Sequence, residues 1–147
     1  MTETTRLIRH FLATLAYRLG GVLQDPPDEF DSFSSGHEVR TPLEILHHMS
    51  ELLMFADSFY TSERERLSAV SWREEIERFR DWLVRLDGHL AAGAPESDTP
   101  LEKIFQGPLA DAMTHVGQLA TLRRLAGSPI PAESFIRAEI RIGCFTF

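Results

Sequence analysis

Four stretches of the chain carry apolar side chains that return every three or four residues, the spacing of one face of an α-helix. The first covers 5–19, with Ile8, Phe11, Leu12, Leu15 and Leu19 on its stripe, and Gly20-Gly21 is predicted to end it. A second opens at Thr41-Pro-Leu-Glu44, where threonine caps, proline suits the first helical position and glutamate completes a capping box. It is predicted to reach about Tyr60, with Ile45, Met49, Leu52, Phe55, Ala56 and Phe59 inward. Ser71-Trp-Arg-Glu74 repeats the capping signature for a third helix, whose stripe is Trp72, Ile76, Phe79, Leu83, Leu86 and Leu90. Its Arg73, Glu75, Glu77, Arg80 and Arg85 read as a solvated face. Thr99-Pro-Leu-Glu102 starts a fourth in the manner of the second. Gly107-Pro108 should bend that helix, because proline removes a backbone donor and disfavours α geometry at the residue before it. Gly127 is placed to end it in a left-handed conformation, with Arg123 and Arg124 complementing the helix dipole.

The segments between are less regular. Residues 24–40, with Asp25-Pro-Pro-Asp28, three serines and Gly36, read as a surface connection with a short helical turn near 27–30. Its length exceeds what a compact bundle needs, which marks it as functional or as an excursion. Residues 61–67 are charged and patternless, and 91–99, with Gly93, Pro95 and Asp98, read as a turn. After the rigid Ser128-Pro-Ile-Pro131, residues 132–142 are predicted to form a fifth, shorter helix whose Phe135, Ile136 and Ile140 cover one end. There are no persuasive strands. The pattern predicts an all-α four-helix bundle with a short C-terminal helix.

Composition narrows the classes of function. With 147 residues and 43% hydrophobic content, the chain can bury one core, so a single domain over 1–147 is expected. A net charge of −7, with basic residues scattered among acids, argues against nucleic acid as a partner. No segment approaches membrane-spanning length and the first residues lack a signal-peptide pattern, so a cytoplasmic location and no membrane partner are expected. The lone Cys144 cannot form an internal disulfide and reads as packing.

The fourth helix carries ionisable groups on an unexpected face. Stepping about 100° per residue puts Leu101, Ile104, Leu119, Leu122 and Leu125 together, and Asp111, His115 and Gln118 fall among them. An inward carboxylate must be paired, hydrogen-bonded or bound to a metal. His48 lies with the stripe of the second helix, whereas His47 clusters with Ser50, Glu51 and Ser58 and reads as solvated. Asp111 and His115, four apart, can converge on one cation that His48 reaches from the second helix. Two imidazoles and one carboxylate would leave coordination positions open, as catalytic sites do, and suit zinc, with nickel, manganese and ferrous iron as alternatives. On periodicity alone, an aspartate holding a core histidine is the simpler account, but it leaves His48 unexplained. Gln118 is a candidate hydrogen-bond donor behind the ligands. Gly117, which costs roughly 1 kcal/mol against alanine in mid-helix, suggests close approach, most simply by another helix. No general base stands out: Glu44 and Glu51 flank His48, and His10, His37 and His89 read as surface residues.

Glu44-Ile-Leu-His-His48, followed by Asp111-Ala-Met-Thr-His-Val-Gly-Gln-Leu119 and Leu122-Arg-Arg-Leu-Ala-Gly-Ser-Pro-Ile-Pro131, resembles the DinB/YfiT-like family of metalloenzymes. The His-x-Gly-Gln-x3-Leu-Arg-Arg segment ending in Gly-Ser-Pro is its most specific part; the first and third helices match only as amphipathic helices. The resemblance implies a bundle with a divalent metal held by His48, Asp111 and His115. Family sites are most often three histidines, so Asp111 is a departure. It also implies parallel second and third helices, an up-down-down-up order. Loop length alone would instead put the crossover at 24–40. An extended linker of about eleven residues reaches roughly 35–40 Å and a twenty-residue helix about 30 Å, so 61–71 can just make the crossing.

The resemblance further implies an enzyme in which a metal activates water or a low-molecular-weight thiol against a small-molecule substrate, as a thiol-dependent transferase or a hydrolase. The rival class is a non-catalytic bundle. In it a metal, or an Asp–His hydrogen bond alone, stabilises the fold while the apolar surface forms a homodimer, or the protein holds a small ligand without turnover.

Overall fold

The computed structural model describes residues 1–93 and 98–147, and within them the chain is all-helical, with no strand. Helix α1 (Glu3–Leu23) starts at Thr2, whose side chain accepts from the Thr5 amide. It does not stop at Gly20-Gly21 as predicted. Each glycine costs only about 1 kcal/mol in a helix, and continuing the helix buries Val22 completely. Helices α2 (Pro42–Thr61) and α3 (Trp72–Ala92) begin as expected, each on a reciprocal capping box, Thr41 with Glu44 and Ser71 with Glu74. The next helix begins behind Pro100. The turn predicted over 91–99 begins after Ala92, and its residues 94–97 lie outside the described residues.

The fourth arm is two helices in series, α4 (Leu101–Ile104) and α5 (Ala110–Leu125), joined by a π-helical turn, Phe105–Leu109. Gly107 has φ −88° and ψ −105°, a kink where the Gly-Pro pair predicts one. At the other end Gly127, at φ +79°, donates to the Arg124 carbonyl while Ser128 donates to that of Arg123, which closes the helix in a left-handed turn.

Five contacts set the direction of each arm. His47, early in α2, meets Glu75, early in α3, and Asp57, late in α2, meets His89, late in α3, so these two helices run parallel. Arg9 of α1 makes a two-pronged bond to Asp87, late in α3, at 2.7 Å on each prong, so α1 opposes α3. Phe11 packs edge-on against Phe105, and Val22 meets Arg123, so α1 runs with the fourth arm. The order is therefore up-down-down-up, and 62–71 makes the long crossing. Each arm packs against two neighbours, around a core that includes the fully buried Leu12, Leu19, Leu46, Met49, Leu53, Phe79, Leu83, Leu86 and Leu119.

Several inward assignments shift by a fraction of a turn. Because α2 packs against both α3 and α5, Leu46, Leu53 and Tyr60 are buried as a second row, and the predicted Leu52, Phe55 and Phe59 are only half-buried. Glu75 is not solvated but fully buried, and Arg123, read as complementing the helix dipole, is nearly fully buried as well. The turn near 27–30 appears slightly later, as a 3₁₀ turn at Phe30–Ser32. The C-terminal helix is reduced to one 3₁₀ turn, Phe135–Arg137, in place of a helix over 132–142. There Ile136 is 94% exposed and Phe135 is exposed, so of the three predicted covering residues only Ile140 packs on the core. Phe145 and Phe147 take that covering role instead, while Cys144 is exposed. No helix among the described residues is long and apolar enough to cross a membrane.

Candidate metal centre

The kink at Gly107 decides what the first turn of α5 presents. The π-helical turn breaks the 100° stepping between Ile104 and Asp111, so the two ends of the fourth arm do not share one projected stripe. The buried row of α5 is Ala112, His115, Val116, Leu119 and Leu122, while Gln118 and Leu125 are exposed. Asp111 is consequently not a core carboxylate. Its side chain is 47% exposed and sits at the rim, one turn before His115, whose side chain is 10% exposed.

His48 faces this pair from the second turn of α2. His48 Nε2 lies 3.8 Å from Asp111 Oδ2, His115 Nδ1 lies 3.6 Å from Asp111 Oδ1, and the two imidazole centroids are 4.9 Å apart. One donor atom from each of the three falls within 4.8 Å of the others, and among the described residues this group could hold a metal ion. A tetrahedral ion with bonds of about 2.1 Å spaces its donors roughly 3.4 Å apart, so small side-chain adjustments close the set around a cation. Burial, the largest effect, lowers the pKa of His115, and the charges of His48 and Arg40 lower it further against an opposing pull from Asp111. A neutral imidazole is the form that ligates.

Two residues that the sequence left without a role, Glu51 and His47, stand beside the cluster, and Glu51 supports His48. Glu51, one turn along α2, places Oε2 3.5 Å from His48 Nδ1, the nitrogen opposite the one facing Asp111. A carboxylate behind a ligating histidine fixes its ring and tautomer. The i, i+3 spacing was visible in sequence, but only the direction of His48 gives it meaning. His47, expected to be solvated, instead has Nδ1 3.0 Å from Glu75 Oε2, and Arg78 donates to the same oxygen at 3.0 Å. Glu75 Oε1 is buried without a hydrogen-bond partner. Glu44 is committed to the capping box, where bonds from the Thr41 backbone and side chain lower its pKa. His89 donates to the buried Asp57 at the far end of α2, His37 is exposed, and His10 is half-exposed on α1; none of them joins the cluster.

A cleft opens on each side of the three residues. The larger, of about 740 Å³, lies between α5 and the connection before α2, with His115, Gly117, Gln118 and Leu125 on one wall and Val39 and Arg40 on the other. The smaller, of about 310 Å³, is lined by His47, His48, Glu51 and Glu75, and Arg40 borders it as well. Gln118 thus faces the larger cleft and makes no hydrogen bond to the three residues. Gly117 does not admit a neighbouring helix: a Cβ there would meet nothing within 4 Å. In comparison with known proteins, no family model, curated protein or solved structure matches the chain.

Proposed function

We propose that this chain is a divalent-metal-dependent enzyme of the DinB/YfiT-like kind, with His48, Asp111 and His115 as ligands and a small molecule as substrate. The convergence of these three side chains from two helices at the junction of two clefts carries the reading. The structural rival, an aspartate stabilising a core histidine, loses its motive here. Asp111 is half-exposed, and ion pairs in that setting contribute only about 0–1 kcal/mol. Three donors gathered at a cleft mouth are better explained by a cation than by fold stability.

Two imidazoles and one carboxylate suit zinc or nickel best, with manganese and iron as alternatives. When bound, such an ion polarises an oxygen or sulfur donor and lowers the pKa of a coordinated water or thiol. The protein's own groups supply the rest. Glu51 holds His48 with Nε2 toward the site, and burial keeps His115 neutral. Glu75 anchors His47 through Nδ1 at 3.0 Å, and His47 Nε2 lies 3.7 Å from Glu51 Oε1, so His47 and Glu51 together line the smaller cleft. Transfer of a low-molecular-weight thiol to an electrophile, or hydrolysis, is the reaction class.

Metal content of protein purified without added metal, and after zinc is supplied, tests this reading. The wild type should carry or take up about one ion per chain, and His48→Ala or His115→Ala should weaken uptake at least about 100-fold. Wild-type protein that takes up no metal would overturn it. With metal bound, turnover of an electrophile that requires both ion and added thiol would identify transfer; turnover without thiol would identify hydrolysis.

A further inference from the structure

We propose that the larger cleft is a binding site for a small carboxylate with an apolar body, its carboxylate on Arg40 and its body over Gly117. This rests on the metal-enzyme reading in taking the cleft as the substrate side of the centre, although binding itself does not require the ion.

Three observations converge on that occupant. The first is the space over Gly117. Glycine in the interior of α5 costs about 1 kcal/mol against alanine, and no neighbouring atom within 4 Å of a Cβ explains it. The room it leaves opens into the cleft that His115, two residues earlier, also lines.

The second is apolar surface. Val39 is 47% exposed and Leu125 is 60% exposed, on opposite walls of one concavity whose lining is largely apolar. Its volume of about 740 Å³ falls in the range of small-molecule sites.

The third is Arg40. It is exposed and makes no hydrogen bond or ion pair with another described residue, and its charge is felt at both Glu44 and His115. Its position is fixed from both sides. His37 and Glu38, at φ 56° and 59°, turn the chain just before it, and the Thr41 amide just after it donates to Glu44 Oε2 at 2.7 Å. A guanidinium presents a fork that matches a carboxylate. Arg40 is the one charged side chain, apart from His115, on the lining of the larger cleft, and a single guanidinium matches a single negative charge, which favours a monoanion over a phosphate dianion.

Calorimetric titration with 3-phenylpropionate and its uncharged amide, on zinc-supplied and metal-free protein, tests the proposal. The acid should bind both forms, and the amide at least tenfold more weakly. Arg40→Gln should weaken the acid at least tenfold and leave the amide unchanged. Gly117→Leu, whose Cβ meets no neighbour in the folded chain, should weaken both ligands at least tenfold without altering zinc content or circular dichroism. Thr121→Phe, one turn further along the same wall, serves as a second block should Gly117→Leu fail to fold. Failure of the acid to bind at millimolar concentration, equal binding of acid and amide, an unaltered Arg40→Gln, or indifference to both blocks would each overturn it. A wild type that takes up no zinc but still binds the acid through Arg40 would refute the metal reading and uphold this one.

Discussion

Arg123 Nη1 donates to the carbonyl oxygen of Val22 at 2.7 Å, fastening the last turn of α5 to the last turn of α1. The same guanidinium reaches the carbonyls of Gln24, Asp25 and Ser128 and the Ser128 hydroxyl, at 2.9 to 3.3 Å. A planar fork with five donors can serve that many acceptors; an ammonium cannot. Arg123→Met should therefore cost about 3 kcal/mol, since buried carbonyls lose a charged donor. Arg123→Lys should recover less than half of that. Urea unfolding midpoints measure both; a loss under about 1 kcal/mol for the methionine variant would show that water replaces the arginine without penalty.

The carboxylate behind His48 makes a second prediction. If Glu51 fixes the ring of a metal ligand, Glu51→Ala should lower zinc affinity about tenfold to a hundredfold and leave the unfolding midpoint nearly unchanged. Competition with a chromogenic chelator reads the first, and denaturant unfolding without metal reads the second. Equal zinc affinity in variant and wild type would remove Glu51 from the site.

Gly117 separates folding from binding. Because its Cβ would meet nothing, Gly117→Ala should stabilise the metal-free protein by about 1 kcal/mol, through helix propensity alone. Thermal melting checks this, and a destabilised variant would mean that the helix needs glycine for a packing reason.

The two capping boxes give the acid response a sign. Hydrogen bonds from Thr41 and from Ser71 lower the pKa values of Glu44 and Glu74 below the ordinary glutamate value. Carboxylates of this kind contribute stability that is complete above the unfolded value and is lost as pH falls through the folded one. Glutamine can still cap but does not titrate there, so a Glu44→Gln, Glu74→Gln variant should show a shallower fall in melting temperature between about pH 5 and pH 3. Melting curves of the two proteins across that interval, if parallel, would place the acid sensitivity elsewhere.

How much of the protein is legible in its sequence depends on the range of the forces involved. Capping boxes at Thr41 and Ser71, the kink at Gly107-Pro108 and the left-handed end at Gly127 are local, set by hydrogen bonds and sterics within a few residues, and all are present in the structure. The stop at Gly20-Gly21 and the helix over 132–142 are local expectations that do not hold. Val22 gains more from burial in the bundle than glycine costs, while Ile136 finds no core to cover. Of the site, the type and spacing of His48, Asp111 and His115 are readable, because i, i+4 spacing and the inward stripe of α2 are properties of single helices. The places of His47 and Glu75 are not readable, because the two meet across 28 residues of sequence, on helices whose pairing the tertiary fold decides.

The sequence by itself determined four amphipathic helices, their caps, the kink, and which three side chains are suited to hold a cation. Tertiary structure alone decided that Asp111 stands at a rim, that Glu51 backs His48, that Glu75 and Arg123 are buried, and that Arg40 and Gly117 face each other across a cleft. Helix propensity and capping act within one or two turns, whereas burial depends on which helices become neighbours. A long parallel crossing through 62–71 settles that only once the whole bundle has closed.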